Sequence, residues 1–422
     1  MENLDLKMRQ WLPAELIAFL HIAGEKAGAQ GQKLYLVGGA VRDLLLHRPI
    51  MDFDLVLEGD APRLARQLAR RDRIGEEKSK GEGQVTVHRQ FGTAKFRRGG
   101  LNIDVVTARS ETYSQPGALP TVQPGTIQDD LLRRDFSINA MAIDLSPASF
   151  GQLLDPHSGW SDLEQKRNVR ILYERSFIDD ATRILRAIRY EKRLGLTLEQ
   201  NTERLLREHI SMLDTISGDR IRHELELILK EDIPEQILER AEVLGVLQQL
   251  HPSLRGNGWL AERFREARQK AIADPVLYLL LLVYHLSEEE IERFIARLTI
   301  VGELERNMRQ MPRIKRSFPS LANNALPPSE IYRLLKRYHP KTIAACSLAS
   351  DSPIIRSNLE RYLDHIRYVK PLTDGEDLKR LGVKPGPHMG RMLKTLREAR
   401  LDGQVITKGD EEALVRQLMG NH

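Results

Sequence analysis

The chain has 422 residues, of which 41% are hydrophobic and 29% charged, with a formal net charge of +5 and a single cysteine. That length allows two or more domains, or one elongated molecule of several modules. The lone Cys346 excludes an internal disulfide or a zinc site, and no apolar run of 18 residues marks a membrane span.

The first predicted strand carries Leu34, Leu36 and Val37 and ends at a glycine pair. The run continues Gly38-Gly39-Ala40-Val41-Arg42-Asp43, and Ala40 to Leu46 reads as the helix that follows. A strand, a Gly-Gly turn and a helix start bring bare backbone N–H groups to an anion such as a triphosphate. Asp52-Phe53-Asp54-Leu55 opens the next strand, which runs to Leu57. At a spacing of two, Asp52 and Asp54 point to one face. Carboxylates that close repel unless a cation lies between them. Magnesium beside a phosphate-binding turn implies phosphoryl or nucleotidyl transfer. Gln84 to His88, Thr93 to Arg97 and Leu101 to Thr107 also read as strands, the last two joined at Gly99-Gly100 as a hairpin. With Leu101, Ile103 and Val105 on one side, Asp104 faces the other, either as a third functional acid or as a plain outward polar residue. Ser110 to Gln128, with Pro116, Gly117, Pro120, Pro124 and Gly125, lacks periodicity and reads as a flexible loop beside the site or as a linker.

Past Pro147 the strand signals largely stop. Helices are predicted over Ala181 to Leu194, Glu199 to His209, Asp219 to Leu229 and Pro234 to Leu250. The apolar stretch Val276 to Tyr284 reads as a buried helix, and Cys346 as a core residue. Prolines from Pro252 to Pro353 punctuate the helices, and no repeat of fixed period is present. Charge is unevenly spread: residues 301–400 carry +10, residues 1–300 carry −3 and the last 22 carry −2. Clusters such as Arg313-Ile314-Lys315-Arg316 and the run from Arg333 to Lys341 are solvated helix faces or contacts to a phosphate backbone.

The Gly-Gly turn, acid pair and third strand acid resemble the nucleotidyltransferase site shared with DNA polymerase beta. Four further blocks sharpen the likeness: Asp130 to Ala140 with Arg133-Arg134-Asp135, Asp155 to Leu163, Asp179 to Tyr190, and Ser217 to Leu225. With Leu372 to Leu378 and Gly382 to Pro387 near the end, the chain resembles the class II tRNA nucleotidyltransferases (CCA-adding enzymes) and bacterial poly(A) polymerases. The resemblance implies an α+β fold, with a polymerase-beta-like head of mixed sheet and helices followed by an all-α neck, body and tail. The boundaries expected are 1–147 for the head, 148–230 for the neck with a nucleotide-selecting helix, 231–310 for the body and 311–422 for a basic, tRNA-binding tail.

It further implies that Asp52, Asp54 and Asp104 hold two Mg²⁺ ions, that Gly39 gives backbone approach to the triphosphate, and that Arg42 and Arg134 bring positive charge to it. For Arg42 the alternative is a helix-surface arginine paired with Asp43, and for Asn139 a structural hydrogen bond in place of a contact near the sugar. Asp180 and Arg183, three apart on a helix beginning at Asp179, are expected to read the base. A carboxylate accepts from the amine of cytosine or adenine and repels the oxygen of uracil or guanine, while a guanidinium donates to ring acceptors. CTP and ATP are then taken without a nucleic-acid template. The alternative is an intrahelical salt bridge. Arg186 and Arg189 join as nucleotide-binding residues, and Lys336, Arg337 and Lys341 as RNA contacts. The family usually has Glu where this chain has Asp179.

The leading expectation is template-independent addition or repair of all or part of the 3′-terminal CCA of tRNA, with release of pyrophosphate. A class II poly(A) polymerase shares every motif, but often carries a long basic tail where this chain has the near-neutral Gly409 to His422. A non-catalytic RNA-binding protein is disfavoured by the intact acids. A fused metal phosphohydrolase is disfavoured because no His-Asp dipeptide occurs. The first residues lack the apolar core of a secretory leader, so a cytoplasmic protein is expected. No motif sets an oligomeric state.

Overall fold

The computed structural model describes residues 2–50, 52–69, 85–88, 92–98 and 101–420. Gln84 and the Gly99-Gly100 turn lie outside the described residues. The chain divides into two compact units, Met1–Ser217 and Gly218–His422.

The first unit is built on a seven-stranded sheet. Its strands in chain order are β1 (Leu34–Val37), β2 (Asp52–Leu57), β3 (Thr86–His88), β4 (Thr93–Arg98) and β5 (Leu101–Thr107). Then come β6 (Arg109–Thr112) and β7 (Thr121–Pro124), which form their own two-stranded ribbon, and β8 (Ala142–Asp144) and β9 (Leu153–Leu154). The large sheet has the order β3-β4-β5-β2-β1-β8-β9. Only β2 and β5 run parallel; the other neighbours are antiparallel. Parallel neighbours need a crossover connection, and the helix Ala61–Ala69 lies within the one between β2 and β5. Period-two patterning holds where it matters: Phe53, Leu55, Ile103 and Val105 are buried while Asp54 and Asp104 keep partial exposure.

Most of the segment from Ser110 to Gln128, expected as a flexible loop or a linker, lies in the β6–β7 ribbon, with Arg109 paired to Pro124 and Thr112 to Thr121. Its hydrophobic periodicity is weak because the strands present mostly polar residues. The helix Ile127–Leu132 follows, opened by a capping box between Thr126 and Asp129. The helix Thr182–Leu194 ends at Gly195, whose φ of 65° lets the chain turn out of the helix.

The second unit is helical. Proline stands in the first turn of several helices, among them Pro275–Leu282, Pro340–Ala349 and Pro353–Asp364, where its missing N–H costs nothing. The helix expected over Pro234 to Leu250 is two, Pro234–Val243 and Val246–Leu250, because Gly245 takes a φ of 84° between them. Cys346 is fully buried, and burial pushes its thiol up to about 12. Among the described residues no helix is long and apolar enough to cross a membrane.

Candidate active site

Strand register places the acids. Across the parallel pair, Asp54 lies beside Asp104 and Asp52 beside Asn102; across the antiparallel pair, Lys95 lies opposite Asp104. Registered residues share a face of the sheet, so Lys95, Asp104 and Asp54 make a row over three strands, with Asp52 on the same face. Lys95 Nζ donates to Asp104 Oδ2 at 2.6 Å, and Asn102 Nδ2 donates to Asp52 Oδ1 at 2.9 Å. Burial holds the Asp54 carboxyl above the usual carboxylate range; Arg134 works against this, and the neighbouring Asp104 and Asp52 reinforce it. An all-oxygen set of crowded carboxylates, one of them poorly hydrated, fits a hard divalent cation. Among the described residues no three acids are arranged to hold a metal ion, and Lys95 and Asn102 each engage an oxygen of the row.

A cavity of about 540 Å³ opens next to this row, and a second of about 490 Å³ holds the row itself. Asp54 lines both. The larger cavity begins at the glycine turn. Gly38 has a φ of 69°, and a Cβ there would come 2.5 Å from Arg134 Nη1. Gly38 is therefore the position that demands glycine, whereas a Cβ on Gly39 would meet Arg42 at an ordinary 3.5 Å. Gly39 opens the helix Gly39–Leu45 and lines the cavity.

A polar ring forms one wall. Arg42 is 4% exposed and donates two hydrogen bonds to its neighbour Asp43 and a third, 2.6 Å, to Asn139 Oδ1. Asn139 donates to Asp135 Oδ1, and Asp135 Oδ2 accepts twice from Arg186 at 2.9 and 2.6 Å. Arg186 reaches the Tyr190 hydroxyl, and the Arg42, Arg186 and Arg189 guanidiniums lie 5.2, 5.5 and 5.4 Å from the Tyr190 ring centroid. The ring attracts each cation, and the Asp43 and Asp135 carboxylates offset repulsion among the guanidiniums. Burial alone would raise the Asp135 carboxyl, but the Arg186 guanidinium and the Asn139 amide hold it down to about 2. Both local alternatives for Arg42 and Asn139 are thus present as hydrogen bonds, and both residues also line the cavity. Arg134, held by the buried Asp130 at 2.9 Å, lines it as well.

The expected base-reading pair is placed differently from two neighbours on one helix. The helix Ser176–Asp179 ends at Asp180, and a new one starts at Thr182. Asp180 Oδ1 accepts from the Thr182 backbone N–H at 2.9 Å and its hydroxyl at 2.6 Å, closing the turn that leads into that second helix. Arg183 is 5% exposed and donates to Tyr173, to Ser176 at 2.7 Å and to the Arg133 carbonyl at 2.7 Å. Asp180, Arg183 and Arg186 line the cavity; Arg189, behind Tyr190, is not part of its wall. The β6–β7 ribbon contributes Tyr113 and Pro120, and its Glu111 accepts from Arg109, Arg133 and Tyr113.

Sequence reasoning missed Lys95 and Asn102, and gave Asp135 and Tyr190 no role although both lie in the blocks that carry the resemblance. Counting back from the Gly99-Gly100 pair already puts Lys95 opposite Asp104, so that signal was available. In the second unit, Lys336 and Arg337 are exposed, with their cations near the rings of Tyr332 and Tyr338, whereas Lys341 is paired with Asp274 at 3.0 Å.

Two family models match the chain: the poly A polymerase head domain over residues 34–169, and the probable RNA and SrmB-binding site of polymerase A over residues 195–256. An A-adding tRNA nucleotidyltransferase of Halalkalibacterium halodurans is 32% identical over 427 residues, covering 100% of this chain and 96% of that protein. An A-adding tRNA nucleotidyltransferase of Aquifex aeolicus is 34% identical over 382 residues, covering 86% of this chain and 44% of that protein. The chain thus spans about half the length of some of the curated relatives it matches. A solved Thermotoga maritima CCA-adding enzyme in complex with tRNA superposes with a TM-score of 0.77 at 29% identity, covering 99% of each chain. The chain belongs to the family of tRNA nucleotidyltransferases and poly(A) polymerases.

Proposed function

We propose that this protein adds nucleotides to the 3′ end of tRNA from ATP and CTP, building or repairing all or part of its CCA terminus in the cytoplasm. The observation that carries this reading is the shared wall at Asp54. On one side lies an arginine-rich cavity suited to a nucleoside triphosphate, on the other an open carboxylate cleft where an RNA end can approach. Arg42 and Arg134 meet the triphosphate, and the ring through Asn139, Asp135 and Arg186 keeps Arg42 oriented. Asp180 and Arg183, which line the same cavity, read the base in this proposal. The terminal ribose hydroxyl attacks the α-phosphorus, its proton passes to a carboxylate oxygen of the acid row, and the bond to the β-phosphate oxygen breaks to release pyrophosphate. Asp52, Asp54 and Asp104 would hold two Mg²⁺ ions, which supply charge stabilisation at the phosphates and activation of the attacking hydroxyl.

The test is incubation of purified protein with Mg²⁺ and each nucleotide on tRNA ending at the discriminator base, at C and at CC. Extension by CTP and then ATP is expected. Long adenylate tails on any RNA would instead place the protein with the poly(A) polymerases, and no extension would remove the reading. One narrower outcome, ATP addition to the CC end alone, has its own support: the relatives named A-adding are 32–34% identical to this chain, against 26–30% for those named CCA-adding.

A further inference from the structure

We infer that Lys95 is a built-in counter-cation of the acid row, competing with divalent metal for Asp104 and so setting how tightly the row takes up metal. The inference rests on the metal reading above. Lys95 stands opposite Asp104 by strand register, and its ammonium is 2.6 Å from Oδ2. A Mg²⁺ ligand distance is about 2.0–2.1 Å, so an ammonium on that oxygen and a cation beside it would repel at close range. The Lys95 side chain is 59% exposed, so its ammonium can swing into water without a large hydration loss. Lys95 lines the acid cleft and not the arginine-rich cavity, which separates it from the residues placed to meet the triphosphate. Arg134 lines that cavity together with Asp54.

A competitor predicts opposite signs in two measurements. Without metal, Lys95 offsets the repulsion among Asp104, Asp54 and Asp52; with metal, it opposes binding. Full-length protein stripped with chelator is titrated with Mn²⁺, followed by electron paramagnetic resonance of the free ion, and its melting temperature is read with and without Mn²⁺. Lys95→Met should bind Mn²⁺ about two- to ten-fold more tightly, the range expected when an exposed single charge acts on a divalent ion. The same variant should melt lower without metal and show a larger rise on adding it, while Lys95→Arg stays near the wild type in both. Equal or weaker Mn²⁺ binding by Lys95→Met overturns the inference. Wild-type binding that is lost in Asp54→Asn keeps the metal reading standing in that event. A wild type that takes up no Mn²⁺ removes the metal reading and the inference together.

Discussion

Asp135 gives the most quantitative handle on the site. Its carboxylate is 8% exposed and accepts from Arg186, from Asn139 and from the Phe136 backbone N–H. Asp135→Asn keeps the shape and removes the charge. The folded carboxyl lies at about 2 against an ordinary 3.8. At roughly 1.4 kcal/mol per pH unit, that depression corresponds to about 2–3 kcal/mol of stability at neutral pH. The sign follows from the direction: a depressed acid stabilises the fold above its unfolded value and loses that contribution as pH falls through the folded one. The wild-type advantage should therefore be full at pH 5–7, roughly half by pH 3 and nearly gone by pH 2. Urea unfolding in a Trp259→Phe background reads the first unit alone, since Trp11 and Trp160 both lie within it. A stability gap of equal size at pH 7 and pH 3 would refute the electrostatic account and leave only packing. The same variant should raise KM for the nucleotide more than it lowers kcat, because Asn139 orients Arg42.

Gly38→Ala should raise KM for the nucleotide at least ten-fold and lower the melting temperature, since its φ is positive and its Cβ would strike Arg134; Gly39→Ala should do much less, and steady-state kinetics of the two separate them. Asp54→Asn should abolish nucleotide incorporation yet raise the melting temperature of chelator-treated protein, because a half-buried carboxylate beside two others is neutralised. Asp180→Ala should let UTP and GTP gain relative to CTP and ATP by about 1–3 kcal/mol of discrimination, read from incorporation of all four nucleotides. Neutralising Lys336 and Arg337 should flatten the salt dependence of tRNA binding by about 0.7–0.9 per lost phosphate contact, with Lys341 contributing less because Asp274 already holds it.

How much of this was legible in the sequence depends on the range of the signal. The acid row was readable because period two and a Gly-Gly hairpin are local rules that fix face and register within a few residues. The strand–turn–helix at Gly38 was readable for the same reason, although pattern alone could not say which glycine bears the positive φ. The ribbon Arg109–Pro124 was not readable, because two short polar strands carry no hydrophobic alternation and are recognisable only once paired. The break at Gly245 was missed because a single glycine inside an apolar period is compatible with either a helix or a turn. The ring from Arg42 through Asn139, Asp135 and Arg186 joins residues 42, 135, 139 and 186, and no local rule reports contacts at that separation.

Asp180 shows why motif spacing and mechanism can part company. Three positions before Arg183, it fits the pattern of two neighbours on one helix face, but Asp180 lies outside the helix that carries Arg183. It holds Thr182 with Oδ1 while Arg183 is fixed by Tyr173, Ser176 and the Arg133 carbonyl. Each member of the pair is thus positioned by other groups before any nucleotide arrives. That is what base reading requires, because a flexible ion pair would reorganise around uracil as readily as around cytosine. Under the proposed base reading, discrimination depends on the rigidity of the helix start. Thr182→Val, which removes the hydroxyl bonded to Asp180 and keeps the side-chain volume, should weaken selectivity against UTP and GTP while leaving CTP incorporation within a few-fold of the wild type. Unchanged selectivity in that variant would show that the Asp180–Thr182 contact is only structural, and that Asp180 is oriented by another of its neighbours.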